Sequence, residues 1–199
     1  MCVAGRFAGN KVLSPAVAWV NWENKDSWKW FLENVAEFEN GLLKKIVNRE
    51  GNVIFSDDDK GTRDAAAIIF PNAFLAMCAQ HLKSRALLIS IGCESAFWDC
   101  VKPFAMSEFQ RNFNKLKSDF PAVHKYLLEK EPKRWARSHM THLRTFGLMT
   151  NNLAEHHNML MKVGGRTGKF FRPSYCGDIA DTCVRAGLQY EKQRIFSGI

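Results

Sequence analysis

The sequence of 199 residues lacks the features of a membrane protein and of a secreted, disulfide-bonded protein. No apolar run approaches the roughly 18 residues of a membrane-spanning helix, and residues 1–6 lack the basic and apolar regions of a signal peptide. The six cysteines form no CxxC pair and are spread along the chain, which argues against a disulfide framework. We therefore expect a soluble intracellular protein with reduced thiols and no membrane partner.

What the sequence does contain is a globular composition with an uneven distribution of charge. Hydrophobic residues make up 46% of the chain and charged residues 24%, which suits one folded domain with an ordinary core. Residues 1–60 hold eight Lys/Arg and nine Asp/Glu, whereas residues 61–199 hold twenty and eleven. The positive field therefore belongs to the second part of the chain, and a polyanion is the natural partner for it.

Hydrophobic periodicity predicts an α/β beginning followed by a helical region. We expect a strand at 12–20 that is irregular at Pro15, a helix at 26–40 capped by Asp26 or Ser27, and a short strand at 53–55. A helix ending near residue 70, a strand at 73–78 and a helix from about 80 follow. This order implies a sheet with parallel crossovers. Residues 94–145 show helical patterns only, with a capping-box match at Ser107 and Gln110.

Two acidic residues are candidates for chemistry, and each also has an ordinary structural explanation. Asp57 directly follows the predicted strand 53–55, so its carboxylate would project beyond the carboxyl edge of the sheet, where metal sites collect in α/β folds. Alternatively, Asp57, Asp58 and Asp59 cap the next helix. Glu155 lies three residues after Asn152, so the two residues also match a capping-box-like pair.

Six blocks of sequence, in order and spacing, resemble the catalytic region of Mutator-like (MULE) transposases. They contain, among others, Ser56-Asp57-x-x-Lys60-Gly61 and Asn151-Asn152-x-Ala154-Glu155-x-x-Asn158. The blocks are residues 23–32, 55–61, 70–73, 78–82, 133–137 and 150–158. The resemblance implies an α/β fold of the ribonuclease-H-like (DDE transposase/integrase) type, truncated at the N-terminal side. It further implies a domain over residues 1–163 with an all-helical insertion at about 94–145, and we treat residues 164–199 as a divergent basic tail.

By this resemblance, Asp57 and Glu155 are the second and third carboxylates of an Asp-Asp-Glu triad that holds Mg²⁺ or Mn²⁺. The first Asp of the family has no counterpart among residues 1–9, which contain no acidic residue. We therefore expect the metal site to be vestigial and DNA cleavage and strand transfer to be lost in this chain by itself. Two alternatives stay open: an active transposase encoded by a longer product, and a domesticated transcription-regulating or interaction protein.

Cys78 and His81 look like the C-x-x-H motif of the family. A tetrahedral zinc site would need two further ligands, for which His139 and His142 are the obvious pair, but C-x-x-H pairs are common without zinc and we do not expect zinc here. Cys93 and Cys100 are predicted to be buried, small apolar residues.

The basic residues of the second part of the chain have two explanations: a track for a DNA backbone or a solvated surface. The resemblance favours DNA as the partner, together with a second copy of the chain, and the nucleus, or else the cytoplasm, as the location. Trp135 is predicted to be a packing anchor rather than a surface for stacking bases. The predicted DNA-contacting residues are Lys133, Arg134, Arg137, Lys162, Arg166 and Lys169.

Overall fold

The computed structural model describes residues 1–6, 12–17, 22, 24–57, 61–152, 154 and 155. These residues form a mixed α/β structure that is mostly helical, and they fall into two compact units. Among the described residues, the first unit contains those up to Val35 together with Asn152, Ala154 and Glu155, and the second contains those from Ala36 to Asn151. None of the described helices is long and apolar enough to cross a lipid bilayer.

In the first unit, two strands form an antiparallel pair. β1 (Cys2–Arg6) was not expected from the sequence, and it pairs with β2 (Val12–Val17). The register shifts between the Val3↔Ala16 pair and the Gly5↔Leu13 pair, so β2 holds one extra residue in the stretch that contains Pro15. Proline has no backbone N–H for a regular ladder, and the irregularity predicted at Pro15 is confirmed.

Helix α1 (Lys25–Val47) begins in the first unit and ends in the second. Its start is capped by Asn24, whose Oδ1 accepts the Ser27 N–H at 2.9 Å, so the sequence-based assignment of the cap to Asp26 or Ser27 was wrong by two or three residues. The predicted apolar side of the helix is confirmed at Phe31, Leu32 and Val35, which are all buried.

In the second unit, β3 (Val53–Ser56) and β4 (Phe74–Met77) are parallel neighbours joined through α2 (Thr62–Ile69), as the strand-helix-strand pattern predicted. The described strands thus form two-stranded sheets, β1–β2 and β3–β4. Helices follow from residue 79 to residue 129, and then two 3₁₀ turns, Pro132–Arg134 and Arg137–His139. The helices are α3 (Ala79–Ile89), α4 (Glu94–Val101), α5 (Met106–Asp119) and α6 (Pro121–Glu129).

The core of the second unit is built from the buried sides of these helices and from the segment after α6. Phe109, Phe113 and Leu116 recur at helical spacing on α5 and are buried, as their pattern predicted. Trp135 is fully buried, which confirms it as a packing anchor, and Cys93 and Cys100 are buried as predicted. The predicted capping box at Ser107 and Gln110 was wrong, because the N-cap of α5 is Ala105, two residues earlier, and it makes no side-chain cap.

Candidate functional site

Asp57 lies directly after β3, at the edge where the parallel strands β3 and β4 both end. Helix α2 begins only at Thr62, with Gly61 as N-cap in the left-handed region at φ 79°. Asp57 therefore lies four residues before the N-cap, and the interpretation of Asp57 as a helix cap was wrong. Its half-buried side chain is placed at the carboxyl edge of the strand pair, where α/β folds commonly bind ligands.

A cavity of about 150 Å³ opens at this edge, between the strand ends and helices α3 and α6. Its lining residues come from the ends of the two strands, from the first turns of α3, and from α6 and the residue that follows it. The cavity is lined by Ser56, Asp57, Met77, Cys78, His81, Leu82, Arg85, Tyr126 and Lys130.

Cys78 and His81 both line this cavity, but Cys78 also has a structural role. Its side chain is 1% exposed, and its Sγ accepts the Asn151 N–H at 3.4 Å. Next to it, the Ala79 N–H donates to the Met149 carbonyl oxygen at 2.9 Å. These two bonds hold the segment at 149–151 against the start of α3.

The four residues considered for zinc are not brought together. Among the described residues, which include all four, no group of three or more His, Cys, Asp or Glu side chains is placed to hold a metal ion. His139 instead packs edge-on against the ring of Phe109, with the centroids 4.8 Å apart, and burial lowers the pKa of His139. Burial also raises the pKa of the Cys93 thiol, and it raises the pKa of Cys100 to about 12, so these two thiols are held in the neutral form.

Glu155 is helical and exposed, and it belongs to the first unit, whereas Asp57 belongs to the second. The convergence of their two carboxylates stays a prediction. Asp57 supplies the hard oxygen ligand that Mg²⁺ prefers, so it is chemically suited to hold such an ion together with further carboxylates. One carboxylate lines the cavity among the described residues, and it does not make a two-metal site by itself.

The predicted DNA-contacting residues differ in their surroundings. Lys133 is exposed and forms an ion pair with Glu131 at 3.0 Å, and the hydrogen bond from Lys133 lowers the pKa of Glu131. Arg137 is half-buried, with its guanidinium 5.6 Å from the centre of the Phe104 ring. Arg134 is only 7% exposed, so it is the member of the set least able to reach a DNA phosphate. Lys162, Arg166 and Lys169 lie outside the described residues.

Sequence reasoning did not single out Arg85, Tyr126 or Lys130 as site residues. The position of Arg85 could have been found from the sequence, because Arg85 lies four residues after His81 and therefore on the same side of α3. No sequence pattern places Tyr126 and Lys130 at the cavity, because their position there depends on how α6 packs against α3.

In a comparison with known protein families, residues 1–85 match the MULE transposase domain. No curated protein matches the chain. The matched segment includes Asp57, Cys78 and His81 and four of the six resembling blocks, so the resemblance is confirmed there and supports a MULE transposase fragment. The match ends before residues 133–137 and 150–158, whose family roles stay predictions.

Proposed function

From the match of residues 1–85 to the MULE transposase domain, we propose that the chain is a transposase-derived DNA-binding domain that acts in the nucleus. This match is the observation that carries the proposal. A transposase domain acts on DNA, and the charge of the chain suits that partner. Residues 79–144 carry twelve Lys/Arg and six Asp/Glu, and most of these basic residues are exposed.

The proposal includes a ribonuclease-H-like fold of which Asp57 is a catalytic remnant. The parallel β3–β4 pair, its helices and the antiparallel β1–β2 pair are compatible with a transposase domain. Asp57 lies at the carboxyl end of β3, a position from which a carboxylate could hold a metal ion. Because α2 begins only at Thr62, Asp57 does not cap that helix. With Glu155, it would hold Mg²⁺, which supplies Lewis-acid stabilisation of phosphodiester chemistry.

We further propose that this chain by itself does not cleave DNA. Asp57 and Glu155 account for two of the three carboxylates of the family pattern, and two carboxylates seldom hold two ions. What remains is binding: exposed Lys and Arg side chains on α5, on α6 and at Lys133 attract phosphates irrespective of base sequence.

A fluorescence-anisotropy titration with a labelled duplex, at several salt concentrations and in EDTA, tests this function. We expect weak binding that is largely independent of sequence and that falls steeply with salt, because displaced counterions dominate such contacts. The double variant Lys133→Gln/Arg137→Gln should reduce the salt slope by up to about 0.9 for each phosphate that the variant no longer binds. Arg134 is left intact, because its burial would confuse loss of binding with loss of folding.

The matched control is Lys44→Gln/Lys45→Gln, which removes the same charge from the exposed last turn of α1. An equal fall in affinity in both double variants would show that the effect depends on net charge alone and not on Lys133 and Arg137. No binding of the wild-type chain even at low salt would overturn the DNA-binding function and favour an interaction protein.

A further inference from the structure

The cavity at the ends of β3 and β4 is lined by cationic side chains from two helical segments. Arg85 comes from α3 and Lys130 from the residue that follows α6, and both line the cavity together with Asp57. Lys130 and Tyr126 lie outside the segment that matches the transposase domain. The cavity thus combines residues of the matched segment with residues of the helical region.

The α3 wall is built by helical spacing. Cys78, His81, Leu82 and Arg85 are three, four and seven residues apart, so they share one side of α3 and line the cavity in sequence from its first turn. None of the described side chains caps α3, and its first turn has no acidic residue. The partial positive charge at the start of this helix therefore adds to that of Arg85.

The α6 wall is built in the same way. Tyr126 and Lys130 are four residues apart, and the Lys130 ammonium lies 6.0 Å from the centre of the Tyr126 ring. This contact directs the long Lys130 side chain along the cavity wall. Tyr126 adds a phenolic hydroxyl, which both donates and accepts hydrogen bonds.

The size and the charge of the cavity indicate the kind of ligand that it can hold. A volume of about 150 Å³ is large enough for a small anion such as phosphate. Two cationic side chains against one carboxylate give the cavity a net positive charge. Phosphate oxygens are the acceptors that Arg and Lys bind as charged partners.

We propose that this cavity binds one phosphate group of a nucleic-acid backbone, with Arg85 and Lys130 as its charged partners. The inference rests on the proposed function for the identity of the nucleic acid. It places one backbone phosphate beside Asp57, so the strand is held at the residue for which the sequence resemblance implies metal-dependent chemistry.

The first experiment measures the anion alone. Phosphorus NMR of inorganic phosphate and of dimethyl phosphate, a phosphodiester, is recorded with increasing amounts of the whole chain at low salt. We expect line broadening by the wild-type chain, weakened at least about fivefold in apparent affinity by Arg85→Gln and by Lys130→Gln. Lys44→Gln and Lys45→Gln each remove one positive charge from exposed positions in the last turn of α1, off the cavity, and should change affinity less than about twofold.

Circular dichroism at matched concentration establishes that each variant is folded, and Arg85→Lys should recover part of the binding because it restores the charge. Absence of broadening by the folded wild-type chain overturns the proposal. An equal loss of affinity in the off-cavity variants also overturns the proposal, because phosphate binding would then depend on net charge alone.

The second experiment identifies the source of the phosphate. In the anisotropy titration with DNA, Arg85→Gln/Lys130→Gln should weaken binding more than Lys44→Gln/Lys45→Gln. If the chain binds DNA and the cavity variant behaves like its control, the phosphate assignment fails and the proposed function stands. If the cavity binds inorganic phosphate but the chain does not bind DNA, the proposed function and the nucleic-acid assignment fail together. If poly-glutamate displaces dimethyl phosphate as well as DNA does, the partner is an acidic protein instead.

Discussion

The side chain of Arg144 donates a hydrogen bond from Nη1 to Oδ1 of Asn52 at 3.0 Å, which joins the end of the helical region to the start of β3. The same nitrogen donates to the Glu50 carbonyl oxygen at 3.1 Å, and the Arg144 backbone N–H donates to the Gly51 carbonyl oxygen at 2.8 Å. Gly51 has a φ of +82°, a conformation that a side chain would strain. These hydrogen bonds of Arg144 thus hold the segment after the helical region against the start of β3.

We expect Arg144→Ala to lower the free energy of unfolding by about 1–3 kcal/mol. The substitution removes two side-chain hydrogen bonds, each of which contributes about 0.5–1.5 kcal/mol. Urea unfolding followed by circular dichroism measures the change. Arg111→Ala, at an exposed position on α5, is the matched control and should change stability by less than about 0.5 kcal/mol. Equal losses in the two variants would contradict a structural role for Arg144.

Trp135 should be among the residues most sensitive to truncation. It is fully buried, its ring centroid lies 6.5 Å from Phe97, 6.0 Å from Phe109 and 6.1 Å from Phe113, and its Nε1 donates to the Leu127 carbonyl oxygen at 3.2 Å. We expect Trp135→Ala to cost about 3–5 kcal/mol of stability through the cavity that it leaves.

Trp135→Phe keeps an aromatic ring but loses the hydrogen bond to Leu127, so its loss should be smaller, at about 1–3 kcal/mol. Trp22→Ala is the comparison at a side chain that is 78% exposed, where the change should stay within about 0.5 kcal/mol. Urea unfolding of the three variants, followed by far-ultraviolet circular dichroism, gives the ranking. A Trp135→Ala variant as stable as Trp22→Ala would contradict the burial of this ring.

The sequence predicted features that depend on local pattern. The spacing of Phe109, Phe113 and Leu116 indicated the buried side of α5, and the order of apolar segments indicated the parallel pair β3–β4. The end of α1 was missed, because Asn40 and Gly41 look like a helix stop. Both residues have positive φ, at 54° and 78°, and the helix nevertheless continues to Val47.

A residue of the candidate site could be predicted only where its place in the sequence also determines its place in the fold. Asp57 follows a short apolar strand, and this order places it at the strand end without further information. Tyr126 and Lys130 reach the same cavity from a helix more than 60 residues later in the sequence. No local pattern encodes that contact, because it depends on the packing of α6 against α3.

Two partly buried histidines, His124 and His139, should make the stability of the second unit depend on pH. Burial lowers the pKa of His139, and burial, followed by the nearby charge of Lys117, lowers the pKa of His124, whose ring lies 4.3 Å from that of Phe113. The unfolded chain therefore takes up protons before the folded one does. Stability should be complete above the unfolded pKa of about 6.5 and should fall as the pH drops below it, until the folded pKa is passed.

Urea unfolding at pH 7.5 and 5.5 measures this fall. The double variant His124→Gln/His139→Gln should show a smaller difference between the two pH values than the wild type, because it removes both depressed groups. His142→Gln, which removes an exposed histidine, should leave the difference as it is. A pH difference that is the same in all three proteins would assign it to other groups.

The role of Asp57 can be tested in two assays: DNA cleavage with a divalent metal ion, and DNA binding without one. With Mg²⁺ or Mn²⁺, we expect the chain by itself not to nick supercoiled plasmid, since two of the three family carboxylates are present. Metal-dependent nicking that Asp57→Asn abolishes would contradict this and would support an active enzyme. In EDTA, Asp57→Asn should instead strengthen DNA binding, because the carboxylate lines the cavity proposed for a phosphate.

The expected gain in EDTA is up to about fivefold, since one unit charge at about 4 Å contributes about 1 kcal/mol in water. Anisotropy titration at low salt measures it, and the gain should shrink as salt screens the repulsion. Asp119→Asn is the matched control, because it removes one negative charge from an exposed position at the end of α5. An equal gain in both variants would place the phosphate away from Asp57 and leave only the effect of net charge.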